Sequence, residues 1–300
     1  MKRLKVLCIC GGGVFGAIPA HFLSMLPKEQ QTLKDIDVVC GTSIGGILSC
    51  AYAVGHTFTD VDKCFQQRAK DCFQKRWQAK VNPLACPVYD SESLYEVIQD
   101  MIGNSLMRDI RKIFPQLSIV VPALNATTDK PLIFQNITHE FEGVQLKEVA
   151  KCTSAAPSYF DCVEFKGDAI IDGGLLDVDG ALTALTTVKE LTGVPFAAMD
   201  VMILGTGQDV DKNPLTVKAY RKLLMFPGMV LQVLRAYATL GNKEMSKRHL
   251  RGLGCHVLNY FNPVIIDGEL DDWKQVPQLI KDTDKCKEEF LRTWNAWRTA

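Results

Sequence analysis

Strand-like apolar runs recur along this chain at positions 5–10, 37–40, 117–123, 132–134, 169–171 and 200–205, several of them apolar at consecutive positions, separated by longer stretches of mixed polarity. Side chains alternate across a strand, so a run that is apolar at successive positions describes a strand covered on both faces. Between most of these runs the spacing turns helical. Segments 60–80 and 92–114 carry charged outer faces, and Leu94, Val97, Ile98, Met101 and Ile102 form one apolar stripe. Pro83, Pro87 and the cluster Asp90-Ser91-Glu92-Ser93 mark a loop and a helix start between those segments. The pattern predicts an α/β fold, a three-layer α/β/α sandwich with a mostly parallel central sheet.

Composition narrows this picture. A chain of 300 residues with 47% hydrophobic content buries a large core, and with no internal repeat residues 1–300 read as a single domain. The 34 basic side chains balance 34 acidic ones, which argues against a general nucleic-acid binder, whose affinity comes from neutralising phosphates. Cysteines are scattered, several inside apolar runs (Cys8, Cys10, Cys40, Cys50), as small buried residues of a reduced compartment. No Cys-x-x-Cys pair occurs, so no structural metal is expected. Met1-Lys2-Arg3-Leu4-Lys5 has the charge of a signal-peptide start, but the apolar run after it is too short before the glycines at 11–13. The uncharged stretch 38–59 holds four glycines, Thr42-Ser43 and His56, which fits a buried strand, turn and helix better than a membrane span. A soluble, cytoplasmic protein is expected.

The most informative stretch is Gly41-Thr42-Ser43-Ile44-Gly45-Gly46, set between the strand-like run 36–40 and the apolar helix-like run 47–54. A serine with small neighbours at that place reads as a nucleophile elbow, a sharp strand-to-helix turn that holds the hydroxyl out for attack. The following helix points its positive end at Ser43 and favours negative charge there.

A second feature, Cys10-Gly11-Gly12-Gly13-Val14-Phe15-Gly16, follows the first strand and opens a helix. It satisfies Gly-x-Gly-x-x-Gly, the dinucleotide-binding pattern, yet that reading wants an acidic residue at the end of the second strand, where the serine elbow lies. The alternative is an anion-binding nest in which Gly11, Gly12 and Gly13 offer N–H groups to an oxyanion. A serine also needs a base. None of His21, His56, His139, His249 and His256 has a setting that singles it out. Asp172 closes an apolar strand and precedes Gly173 and Gly174; it is either a common Asp-Gly turn or a carboxylate that accepts the serine proton when burial raises its pKa.

Gly11-Gly12-Gly13-Val14-Phe15-Gly16, Gly41-Thr42-Ser43-Ile44-Gly45 and Asp172-Gly173-Gly174, in that order, resemble the three signature blocks of patatin-like phospholipases. Supporting likeness comes from Thr153-Ser154-Ala155-Ala156-Pro157-Ser158-Tyr159-Phe160, from Ile203-Leu204-Gly205-Thr206-Gly207, and from Asn259-Tyr260-Phe261-Asn262-Pro263 with Leu270-Asp271-Asp272. The resemblance covers nearly the whole chain. It implies a patatin-like fold and a calcium-independent acyl hydrolase of the phospholipase A type, needing neither cofactor nor metal. In that reading Ser43 attacks an acyl ester, Asp172 activates it without histidine, Gly11, Gly12 and Gly13 form the oxyanion hole, and Gly16, Gly41, Gly45, Gly173 and Gly174 support the motifs. The implied substrate is a phospholipid or other acyl lipid at a membrane surface, with an activator or a homo-oligomer left open. Two departures stand out. Phe15 occupies a glycine-loop position where many relatives carry arginine, and Leu175-Leu176-Asp177-Val178-Asp179-Gly180 replaces a more usual Asn-Pro continuation.

Segment 223–231 is apolar across a Pro-Gly break, and Lys218, Arg221 and Lys222 precede it. Exposed, such a pattern would dip into a bilayer; buried, it would be a cap or core helix. Besides the acyl hydrolase, two other functions fit the sequence: a nucleotide-binding protein using the glycine loop, and a non-catalytic lipid-binding protein on the same scaffold.

Overall fold

The computed structural model describes residues 3–78, 86–207, 242–263 and 270–300. In chain order the elements are β1 (Leu4–Ile9), α1 (Ala17–Ser24), β2 (Val38–Gly41), α2 (Ile44–Ala53), α3 (Phe58–Cys72), α4 (Ser91–Ile102), α5 (Ile110–Ile113), β3 (Ser118–Asn125), β4 (Lys130–Gln135), α6 (Leu146–Thr153), β5 (Val163–Phe165), β6 (Asp168–Asp172), α7 (Ala181–Thr192), β7 (Met199–Leu204), α8 (Asn242–Leu253), β8 (Val257–Phe261), α9 (Val276–Lys285) and α10 (Lys287–Thr299). The eight strands form one sheet, ordered β5-β6-β3-β2-β1-β7-β8, with β4 also paired to β3.

Five strands, β3-β2-β1-β7-β8, run parallel, while β4, β6 and β5 join antiparallel at one side. Both faces of the central strands are buried, as apolar residues at consecutive positions require. On one face Leu7 and Ile9 of β1 meet the larger core, built with side chains of α1 to α4, α6, α9 and α10. On the other, Val6, Cys8 and Cys10 meet a thinner layer holding Ala184, Leu185 and Val188 of α7 and Leu250 of α8. The fold is thus the expected three-layer α/β/α sandwich, its sheet parallel at the centre and mixed at one side.

The strand pairing positions the site. β2 pairs with residues 118–120 of β3, β6 pairs with 123–125, and β4 pairs with 120–125. A strand has two edges, so β2 and β6 share one edge of β3 and run toward each other along it. Their ends, Gly41 and Asp172, leave a short seam opposite Val121 and Pro122 of β3.

Several elements differ from the sequence pattern. The helix expected over 60–80 ends at Cys72, and the one over 92–114 stops at Gly103, whose φ of 68° terminates α4; a 3-10 turn and the short α5 follow. Strands β5 and β8 were not evident in the sequence. β5 has three residues with Glu164 exposed, and β8 is a sheet-edge strand with Asn259 in its middle. None of the eleven cysteines is in a disulfide, and six of them are buried. Among the described residues no helix is long and apolar enough to cross a membrane. The candidate surface segment 223–231 and its cations Lys218, Arg221 and Lys222 lie outside the described residues.

Candidate active site

Ser43 sits in the two-residue turn Thr42-Ser43 between β2 and α2, with φ 55° and ψ −124°. A serine in this conformation stores on the order of 1–3 kcal/mol of backbone strain. The turn is held by Gly45 N–H donating to Thr42 O (2.9 Å), Ile47 N–H to Ser43 O (3.0 Å) and the Thr42 hydroxyl to Asp177 O (2.7 Å). Its sharpness depends on close backbone approach: a Cβ on Gly45 would overlap the Ile9 carbonyl, and one on Gly41 the Gly45 carbonyl. This is why small residues flank the serine.

Across the seam, the Ser43 hydroxyl donates to Asp172 Oδ2 at 2.7 Å, and the other carboxylate oxygen accepts Gly174 N–H at 2.7 Å. Asp172 is buried. Burial pushes its pKa up to about 6, against the hydrogen bonds from Ser43 and Gly174 that hold it down. The carboxyl is therefore mostly ionised at neutral pH yet basic enough to take a proton, as a general base requires.

The glycine loop forms the opposite wall. Gly11 N–H donates to Val178 O (2.8 Å), Gly11 O accepts the Thr206 hydroxyl (3.0 Å), and Val14 N–H donates to Leu270 O (2.8 Å). Gly12 and Gly13, with φ of 156° and 56°, have N–H groups engaged by no described residue. The Gly11 amide, expected as an oxyanion donor, instead anchors the loop. Gly16 packs against Ile44, and Gly173 against the Pro122 carbonyl.

Ser43, Asp172 and Gly11 to Gly13 share a cavity of about 140 Å³ whose walls are largely apolar, with Phe65, Phe73, Leu94, Tyr159 and Phe160 among them. None of the five histidines lines it. His21 pairs with Asp62 (2.8 Å) and Asp284 (3.2 Å), His139 with Glu142 (2.7 Å) and His256 with Asp200 (2.7 Å), while His56 and His249 are exposed. Of the two departures noted in the sequence, Phe15 packs against the larger core. Asp177 and Asp179 cap the start of α7: Asp177 accepts Gly180 N–H (3.1 Å) and the Thr183 N–H and hydroxyl (both 2.9 Å), and Asp179 accepts Ala181 N–H (3.0 Å). They shape the loop that carries Val178 to the glycine nest.

The sequence placed Thr153, Thr206 and Leu270 inside family-like segments, and Val178 in a departure from them, but gave none of the four a role in holding the site. They act through a side-chain hydroxyl or a backbone carbonyl, which leaves little trace in residue type. The aromatic walls come from helices and loops whose apolar positions look like ordinary core.

These features define an α/β protein with a serine on a strained strand-to-helix turn, hydrogen-bonded to a buried carboxylate in an apolar cavity. The family model described as patatin-like phospholipase matches residues 7–185, and the chain belongs to that family. It is similar to the cGAMP-activated phospholipase of Escherichia coli (strain TW11681), 30% identical over 281 residues, covering 85% of this chain and 77% of that one. Calcium-independent phospholipase A2-gamma of Oryctolagus cuniculus is 26% identical over 245 residues, covering 74% of this chain and 31% of the relative. Among solved structures, VipD from Legionella pneumophila aligns with a TM-score of 0.49 at 12% identity, over 99% of this chain and 67% of that chain.

Proposed function

We propose that this chain is a calcium-independent lipid acyl hydrolase of the phospholipase A type, with Ser43 as nucleophile, Asp172 as general base and the Gly12 and Gly13 amides as oxyanion donors. The observation that carries this reading is the 2.7 Å Ser43–Asp172 hydrogen bond inside an apolar cavity. As the Ser43 oxygen bonds to the acyl carbon, its proton passes to Asp172 and the carbonyl oxygen becomes an oxyanion facing the glycine loop. Collapse breaks the ester bond, and the leaving alkoxide takes the proton from Asp172. Asp172 then deprotonates a water that attacks the acyl carbon; the bond to the Ser43 oxygen breaks, that oxygen takes the proton back from Asp172, and the fatty acid leaves. Each well-aimed oxyanion donor contributes on the order of 3 kcal/mol to such a step.

Leu270, beyond the family-matched residues, lines the same cavity and holds the glycine loop, which supports treating residues 1–300 as one working unit. The substrate in this reading is a phospholipid or other acyl lipid met at a membrane surface. The names of the relatives favour a regulated enzyme, so a cyclic dinucleotide such as cGAMP is the activator to try first.

Fatty-acid release from mixed phospholipid vesicles, with chelator present and with or without cGAMP, tests the proposal on the native chain and on folded Ser43→Ala and Asp172→Asn variants. Release by the native chain and a drop of at least about 10³-fold in both variants is expected. Full activity in either variant, or dependence on added calcium, would sink it.

A further inference from the structure

We propose that Thr153 is a positioning residue for this reaction, and that the turn Thr153-Ser154-Ala155 at the end of α6 fixes the nucleophile and its base relative to each other. The proposal rests on the acyl-hydrolase reading and deepens it. Thr153 is fully buried, and its hydroxyl accepts Ser43 N–H (3.1 Å) while donating to Pro122 O (2.7 Å). Two residues on, Ala155 O accepts Asp172 N–H (3.0 Å). One short turn therefore grips the backbone of both reacting residues.

The strand pairing explains why a bracket is needed here. At the seam where β2 and β6 stop, neither strand covers Pro122 of β3, so its carbonyl has no ladder partner from that side. The Thr153 hydroxyl fills the gap, and a hydroxyl does so with both a donor and an acceptor. Its methyl group packs close to Gly46 of α2, where a Cβ would come within 2.6 Å of Thr153 Cγ2, so the rotamer has little freedom. Without the hydroxyl, the Ser43 N–H loses its acceptor at a residue already held at positive φ. The turn then gains a reason to relax, and relaxation moves the Ser43 hydroxyl away from Asp172. A displacement of about 1 Å at a reacting group costs on the order of 100-fold in rate.

Thr153→Ser keeps the hydroxyl and loses the methyl, whereas Thr153→Ala loses both, so the pair isolates the hydroxyl with nearly constant packing. In vesicle fatty-acid release, kcat of the alanine variant should fall below that of the serine variant by about 10- to 100-fold, with KM little changed. The acid limb of its kcat/KM profile should also move to higher pH, because Asp172 loses the Ser43 hydrogen bond that holds its pKa down. Equal kcat values and superimposed pH profiles would overturn the proposal. Deuterium uptake by a peptide spanning 40–46 is read on the same proteins: faster exchange in the alanine variant supports the bracket, and identical exchange overturns it even without turnover. A native chain that releases no fatty acid, or a Ser43→Ala variant as active as native, defeats the acyl-hydrolase reading instead and leaves the exchange comparison to decide on Thr153.

Discussion

In the proposed mechanism Asp172 meets two opposing demands: burial excludes water from the ester, and the same burial penalises the charge that a base must carry. Its pKa of about 6 reflects that balance. A carboxyl whose folded pKa lies above its unfolded value of about 3.9 binds more protons when folded. Stability from this group is full below the unfolded pKa and is lost as pH rises through the folded one. The Asp172→Asn variant should therefore be more stable than native at pH 7 to 8, by on the order of 1–3 kcal/mol, while its activity is lost. Urea unfolding of both proteins at pH 4 and pH 8 measures this; a gain that does not grow with pH would contradict it. In the native protein, kcat/KM should rise about tenfold per pH unit below 6 and level off above it, so a profile flat from pH 5 to 8 would remove Asp172 as the base.

Helices around the larger core are tied to one another by polar groups gathered on the buried Asp62 as well as by packing. His21 of α1 reaches Asp62 of α3 at 2.8 Å and Asp284 of α9 at 3.2 Å, and Ser24 joins the same Asp62 oxygen at 2.8 Å. Burial alone would lower the His21 pKa, but the two carboxylates outweigh it and the pKa is raised. The clamp is full below the unfolded histidine pKa of about 6.5 and weakens as pH rises through the folded value. His21→Asn should cost more stability at pH 5.5 than at pH 9, read as the difference in thermal midpoint from native; the reverse order would contradict the charged clamp. Nothing in the local sequence announces it, since His21 and Asp284 are 263 residues apart. The central elements were legible for the opposite reason. The consecutive apolar runs at 5–10, 37–40 and 200–205 correspond to β1, β2 and β7, because two-sided burial erases alternation. At β5 and β8, short length and polar residues removed that signal. The elbow and Asp172 could be marked because turn chemistry confines residue type, whereas the carbonyl of Val178 or Leu270 accepts a hydrogen bond whatever side chain accompanies it.

At the scale of the whole molecule, the family match ends at residue 185 while the sheet does not. β7 pairs with β1 over six residues, so the strand leading into the glycine loop depends on chain that lies beyond the match. That region is closed by α10. Trp297 is fully buried, its indole N–H donates to Asp200 O at 2.9 Å, and its carbonyl accepts Lys5 Nζ at 2.8 Å, with Lys5 also paired to Asp200 at 2.9 Å. Trp294 lies tilted against it, with 5.0 Å between ring centroids, and continues the contact to Phe290. These groups hold β1 and β7 at the end of the strands remote from Ser43. A large-to-small change there should act on stability rather than chemistry. Trp297→Ala removes a large buried side chain and leaves the Asp200 carbonyl without its indole donor, at a cost of about 3–5 kcal/mol. With the variant still folded at low temperature, kcat on vesicles should stay near native, because neither the elbow nor the Asp172 turn touches the lost ring. Urea unfolding measured beside fatty-acid release separates the two effects. A fall in kcat without loss of stability would show that the remote end of the sheet controls the site, and that the strands transmit strain along their length instead of serving as a rigid support.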